Sequence, residues 1–165
     1  MSWRDPSRRA AVAALATLLA VGACGFTPVY GPQGGGTALF GQVRVADPRT
    51  QDDFTFMRQV QDRLGPEGSR YDLAYRLTVA VVPQAITPDE VTTRYSLNGT
   101  ATYQLTDSAS GARVTEGQVS NFTSYSTVGT TIATTAGERD ARARLTTMLA
   151  DQVVTRLLAA APAAR

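Results

Sequence analysis

The sequence predicts an α+β domain: a two-layer α/β sandwich, two helices packed on one face of a four-stranded, mainly antiparallel sheet, in the order β-α-β-β-β-α. Residues 71–81 and 91–105 alternate apolar and polar side chains, the pattern of strands with one covered face. Residues 54–64 and 141–157 instead repeat apolar residues every three or four positions, the pattern of helices with one buried stripe. One helix precedes the long strands and one follows them, and laying both on the same sheet face buries both stripes at once.

Taken in order, residues 39–46 predict a short strand in which Phe40, Val43 and Val45 mark one covered face. A helix follows, with Asp47-Pro48 as cap and first turn or a start as late as Asp52; Phe54, Met57, Val60 and Leu64 line one face, and Gly65-Pro66 ends it. Tyr71, Leu73, Tyr75, Leu77, Val79 and Val81 then alternate with polar or small residues, residues 83–90 with two prolines form a loop, and alternation resumes through Tyr95, Leu97, Gly99, Ala101, Tyr103 and Leu105. These tyrosines stand at inward positions and read as core. Gly99 marks either a close backbone approach or a bulge. Residues 107–111 carry turn chemistry and close a second hairpin. In the next strand Val114 is even-numbered and Val119 odd, so the inward face must switch; a bulge near Gly117 accomplishes it. Residues 126–135, rich in threonine, read as a loop. Thr135 and Glu138 have capping-box spacing and open a helix to about Ala159, with Ala141, Leu145, Met148, Leu149, Val153 and Leu157 as its stripe. Glu138 with Arg142 and Asp140 with Arg144 are supporting four-residue pairs.

Composition excludes much chemistry. All 16 basic residues among the 165 are arginine; there is no lysine, no histidine and one cysteine, Cys24. A P-loop, a histidine-based triad, a haem histidine, a zinc site of Cys and His ligands and an internal disulfide therefore all lack their residues. No GxSxG occurs, and Asp89-Glu90 lies in a polar loop without a partner. Neither a cofactor nor a metal is expected, and the chain reads as a non-enzyme.

Residues 1–23 join a cationic start, Arg4, Arg8 and Arg9, to an uncharged Ala, Leu and Val run that ends in Val21-Gly22-Ala23 before Cys24. That is an export signal, too short to span a bilayer comfortably, and its end resembles a bacterial lipobox. The processed chain would begin at Cys24 bearing acyl chains, a stable membrane anchor. Gly25 replaces the aspartate that commonly signals inner-membrane retention in similar lipoproteins, which points to the outer membrane, periplasmic side. Residues 24–38, with their glycines and prolines, form a tether; residues 39–161 form the single domain and 162–165 a frayed tail. The formal charge of +2 belongs to the export signal: without residues 1–23 there remain 13 side chains of each sign, so nothing points to nucleic acid.

Cys24-Gly25-Phe26-Thr27-Pro28-Val29-Tyr30-Gly31, Arg63-Leu64, Tyr103-Gln104-Leu105, Ser124-Tyr125, Asp140-Ala141-Arg142 and Leu149-Ala150-Asp151 together resemble the lipopolysaccharide-assembly lipoprotein family LptE in its alphaproteobacterial form. The resemblance spans essentially the whole processed chain, and the stretch from Cys24 to Gly31 is its most specific part. It implies a non-catalytic partner that plugs the outer-membrane barrel LptD, assists its folding and binds lipopolysaccharide. A free-standing periplasmic lipid-binding or transporter-auxiliary lipoprotein is the alternative. Lipopolysaccharide phosphates call for arginine, whose planar fork binds such oxygens in pairs. Arg94 is the first candidate because it interrupts an uncharged Thr, Ser and Asn face; Arg76 lies on the other long strand, and Arg113 follows the hairpin turn.

Overall fold

The structure, a computed structural model, describes residues 35–86 and 92–161. The export signal, Cys24, the tether as far as residue 34, Asp89-Glu90 and the 162–165 tail lie outside the described residues. The elements are α1 (Gly35–Leu39), β1 (Val43–Val45), α2 (Gln51–Leu64), β2 (Tyr71–Ile86), β3 (Thr92–Asp107), β4 (Arg113–Ser126) and α3 (Thr131–Ala160). The four strands form one sheet in the order β1-β2-β3-β4, with β1 parallel to β2 and the other pairs antiparallel.

The long hairpin follows directly from the alternation. β2 and β3 pair Leu73 with Leu105, Tyr75 with Tyr103, Leu77 with Ala101 and Val79 with Gly99, so up to the register shift after Pro83 the odd-numbered residues of both strands lie on the helix side. Tyr71, Leu73, Leu97, Ala101, Tyr103 and Leu105 are buried there in one cluster with the stripes of α2 and α3. Phe56 of α2 stacks on Tyr75 with ring centroids 4.5 Å apart. At Gly99 an added Cβ would lie 2.9 Å from methyl carbons of both Leu145 and Leu149. Close approach of α3, not a bulge, is therefore why glycine stands at 99.

Several local expectations are corrected. Residues 35–38, assigned to the tether, and Leu39, assigned to the first strand, form a short helix with Leu39 wholly buried. Its glycines cost about 1 kcal/mol each in a helix, but burying one leucine recovers about 1.5–3 kcal/mol. The strand expected over 39–46 is consequently only Val43–Val45, and Phe40, expected on its covered face, is 57% exposed. α2 begins after Thr50, whose hydroxyl accepts from Asp53 N–H at 3.1 Å while the Asp53 carboxylate accepts from Thr50 N–H at 3.0 Å. This reciprocal cap satisfies two orphan donors and outcompetes the Asp47-Pro48 start. Phe56 occupies the core where Phe54 was expected; Phe54 is 47% exposed.

β2 runs past Pro83 to Ile86, where a loop was expected. Pro83 sits opposite Tyr95, and the pairing with β3 becomes irregular just after it. The outer side of β2 is free at that point, so no ladder donor is lost. The bulge in β4 lies at Val114, not near Gly117: Leu105 pairs with Thr115 while Thr106 pairs with Arg113, leaving one extra residue between. Gly117 has a different cause. An added Cβ there would stand 2.8 Å from Tyr103 Oη, so the glycine makes room for the cross-strand tyrosine.

α3 starts at Thr131, four residues before the expected Thr135 cap. Thr130 Oγ1 accepts from Ala133 N–H at 3.3 Å, and a threonine cap of about 1 kcal/mol offsets the few tenths each helical threonine costs. Both expected charge pairs form, Arg142 with Glu138 at 3.1 Å and Arg144 with Asp140. Arg142 also reaches Asp52 of α2 at 3.5 Å, and Asp151 accepts from Gln59 at 2.9 Å and from Arg63 at 3.0 Å. These contacts set the register of α2 on α3; being partly solvated, each adds at most about 1 kcal/mol.

Candidate functional site

With both helices on one side, the opposite sheet face is uncovered. Along β3 it presents Arg94, Asn98, Thr100, Thr102, Gln104 and Thr106, with Ser96 buried between its neighbours and bonded to Asn98 and Thr123. Arg94 stands opposite Ser126, and Arg76 stands opposite Thr102 on the same face. Because Thr102 and Arg94 are eight residues apart on β3, the two arginines are about 27 Å apart along the strand direction. Neither has an ion-pair or hydrogen-bond partner among the described residues, so both guanidinium groups are free to meet an anion.

Arg113 is placed differently. The bulge at Val114 turns it to the outer face opposite Thr106, at the far end from Arg94, and there it pairs with Glu116 at 2.6 Å. In the same cross-strand row, at the opposite edge of the sheet, Arg44 of β1 meets Asp72 at 2.6 Å, and Ser108 Oγ donates to the same carboxylate at 2.8 Å. That end of the face is thus a set of closed ion pairs, whereas the Arg76 to Arg94 stretch carries unpaired positive charge. The structure does not gather the three arginines into one pocket.

Sequence reasoning missed Phe122, which stands opposite Asn98 on the outer face and is 71% exposed. The signal was present in the parity switch at the bulge: once the inward face of β4 becomes odd-numbered, Phe122 must point outward.

Two carboxylates are held below the usual value of 3.8: Asp72 by the Ser108 hydroxyl and then Arg44, Asp107 by Ser110, whose N–H and hydroxyl both donate to it. Their stabilising effect is present above pH 3.8 and is lost as pH falls through the depressed values. The thermal midpoint is therefore expected to decline below pH 3.8, and Asp72→Asn with Asp107→Asn to flatten that decline; an equally steep fall in the double variant would remove both groups as its cause. On the inner face, burial and then Asp53 push the Tyr75 phenol up to about 12, in keeping with its place against Phe56. Among the described residues no group of three or more potential metal-binding side chains occurs, and no helix is long and apolar enough to cross a membrane.

The sequence model of the family described as "LptE: Lipopolysaccharide-assembly" matches residues 40–157, which takes in β1, α2, β2, β3, β4 and nearly all of α3. The chain belongs to the LptE family. Solved structures share the fold. A putative lipoprotein from Caulobacter crescentus CB15 is 18% identical with a TM-score of 0.62, covering 76% of this chain and 94% of its own. Rare lipoprotein B from Shewanella oneidensis is 12% identical with a TM-score of 0.57, covering 72% and 92%. A minor lipoprotein from Acinetobacter baumannii is 16% identical with a TM-score of 0.54, covering 76% and 97%. No curated protein sequence matches the chain. The family is one of non-enzymatic lipoproteins of lipopolysaccharide assembly in the bacterial envelope.

Proposed function

We propose that the protein partners and plugs an LptD-type outer-membrane barrel and assists lipopolysaccharide assembly at the cell surface, binding lipopolysaccharide without catalysis. In this reading it is held at the periplasmic side of the outer membrane by acyl chains on Cys24. The observation that carries it is the family match over residues 40–157, nearly the whole folded domain. The uncovered outer face supports it: a mainly polar sheet face with Arg76 and Arg94 free of partners among the described residues suits an anionic, sugar-bearing lipid better than an enclosed apolar cavity does. Because the two arginines stand about 27 Å apart along the strand direction, they would hold separate anionic groups.

Copurification tests the partner. The lipidated chain, extracted in mild detergent, should bring down a barrel near stoichiometry, whereas a free-standing lipid-binding lipoprotein would bring down lipid alone. Binding is tested by Arg94→Ala and Arg76→Ala. Removing one hydrogen bond to a charged group costs about 1.5–3 kcal/mol, so each variant should weaken lipopolysaccharide capture by roughly tenfold or more. The effects should be additive, since the sites share no partner. Unchanged capture by the double variant, with the fold intact, would sink the assignment.

A further inference from the structure

The two edges of the sheet are built differently. On the β2 side, β1 covers only Tyr71, Asp72 and Leu73, and the uncovered remainder of the strand carries Arg76 and Pro83. A charged residue and a proline on an edge are the ordinary devices against strand pairing. β4, the opposite edge, has such protection only at its start, where the bulge and the Arg113–Glu116 pair lie. From residue 117 to 126 it holds neither a charge nor a proline and includes Val119, Phe122 and Tyr125. An uncharged edge of that length is an aggregation hazard unless something covers it.

The direction of its backbone groups follows from the ladder. Thr127 N–H bonds Thr93 on β3 at 3.0 Å, and Thr123 C=O also faces β3, accepting from Ser96 Oγ at 3.4 Å. Odd-numbered residues therefore face inward along the ladder, and Gln118, Ser120, Phe122 and Ser124 present N–H and C=O to the open side. The Phe122 N–H is met only by its neighbour's side chain, Asn121 Oδ1, at 2.8 Å. Beside this edge, between β4 and α3, runs a groove of about 450 Å³ in which Val119 is the one apolar lining residue, beside Gln118, Ser120, Asp151, Gln152, Thr155 and Arg156. Asp151 is engaged by Gln59 and Arg63, whereas Arg156 has no ion-pair partner among the described residues.

We propose that the β4 edge from Gln118 to Ser124 receives an extended segment of the partner barrel as a fifth, backbone-paired strand. The side chains of that segment alternate, apolar toward Phe122 on the outer face and polar, with a carboxylate for Arg156, toward the groove. Backbone pairing supplies the affinity and the alternate side chains the specificity. A second copy of this chain fits less well, because residues 117–126 contain no carboxylate to meet Arg156. The inference rests on the barrel partner proposed above, and its test separates the two.

The lipidated full chain is purified with its barrel and, separately, alone, and amide hydrogen exchange is read residue by residue. In the complex the amides of Gln118, Ser120 and Ser124 should slow by about tenfold or more, while their odd-numbered neighbours, already bonded to β3, should change little. Unchanged rates in a preparation that contains the barrel overturn the edge pairing and leave the partner standing; a preparation without barrel overturns both. Protection that arises in the isolated chain and grows with its concentration would assign the edge to a second copy and overturn the proposal. Ser120→Pro removes an edge donor without breaking the ladder, and Phe122→Lys places a charge on the edge without touching the core. Each should lower barrel recovery severalfold while Ser120→Ala retains it. If Ser120→Pro fails to fold, Phe122→Lys decides, and native recovery with it overturns the proposal.

Discussion

Leu149→Ala is expected to destabilise the domain by about 2–5 kcal/mol and to lower its thermal midpoint by roughly 10 °C or more. Leu149 is fully buried, and its Cδ1 lies against the backbone of β3 at Gly99. No side chain at 99 can move in to fill the space, so the truncated site keeps most of its cavity, and the cavity is what raises the cost above simple transfer. A urea titration measures the effect directly. A loss below about 1 kcal/mol would mean that α3 does not dock on β3 in this register. The complementary change, Gly99→Ala, attacks the same packing from the sheet side and should cost about 1–3 kcal/mol by overpacking.

Gly68→Ala is expected to be as damaging although the residue lies in a loop. A Cβ at 68 would stand 2.4 Å from both Gly41 O and Gln42 Cα, backbone atoms that no rotamer change can move. Those atoms belong to the turn that sets β1 on β2: Gln42 O accepts from Arg70 N–H at 3.2 Å and Tyr71 N–H at 2.9 Å, and Gly41 N–H donates to Leu64 O at 2.7 Å. Shifting the turn therefore strains the β1–β2 junction and the end of α2 together. The expected cost is about 2–4 kcal/mol, near the upper end of overpacking effects. Gly111→Ala is the control: its φ of 70° costs a side chain about 1 kcal/mol, but nothing lies within 4 Å of the added carbon. Should the Gly68 variant prove no less stable than the Gly111 variant, the close approach at Gly41-Gln42 is wrong.

Neither glycine's packing is legible from the chain alone. The alternation around Gly99 admits either a close approach or a bulge, and only the position of Leu145 and Leu149 above it decides between them. Gly68 carries no local signal, since its neighbour in space is a turn more than twenty residues earlier in the chain. The α2 start at Gln51 falls inside the expected window from Asp47-Pro48 to Asp52, whereas the α3 start was not legible. Thr130 stands in a run of threonines and has alanine, not an acid, three positions on, so nothing in the sequence marks it above Thr135, whose partner three positions on is Glu138. The candidate site divides in the same way. That Arg76 and Arg94 share a face follows from even-numbered positions and period two, but their wide separation and the closure of Arg113 by Glu116 follow from strand register and the bulge.

By itself the sequence determined the fold class, the long hairpin with its inward tyrosines, both main helices, and an inventory without lysine or histidine that excludes the chemistry those side chains carry. These are properties of periodicity and composition, which act along the chain and need no knowledge of what lies opposite. The tertiary structure alone decided that Leu39 enters the core, that the bulge falls at Val114, that Gly99 meets Leu145 and Leu149, and that β1 covers only the first three residues of the β2 edge. Each of those depends on which segment lies within a few ångströms of another far away in the chain, and local propensities of a few tenths of a kcal/mol yield to burial energies several times larger.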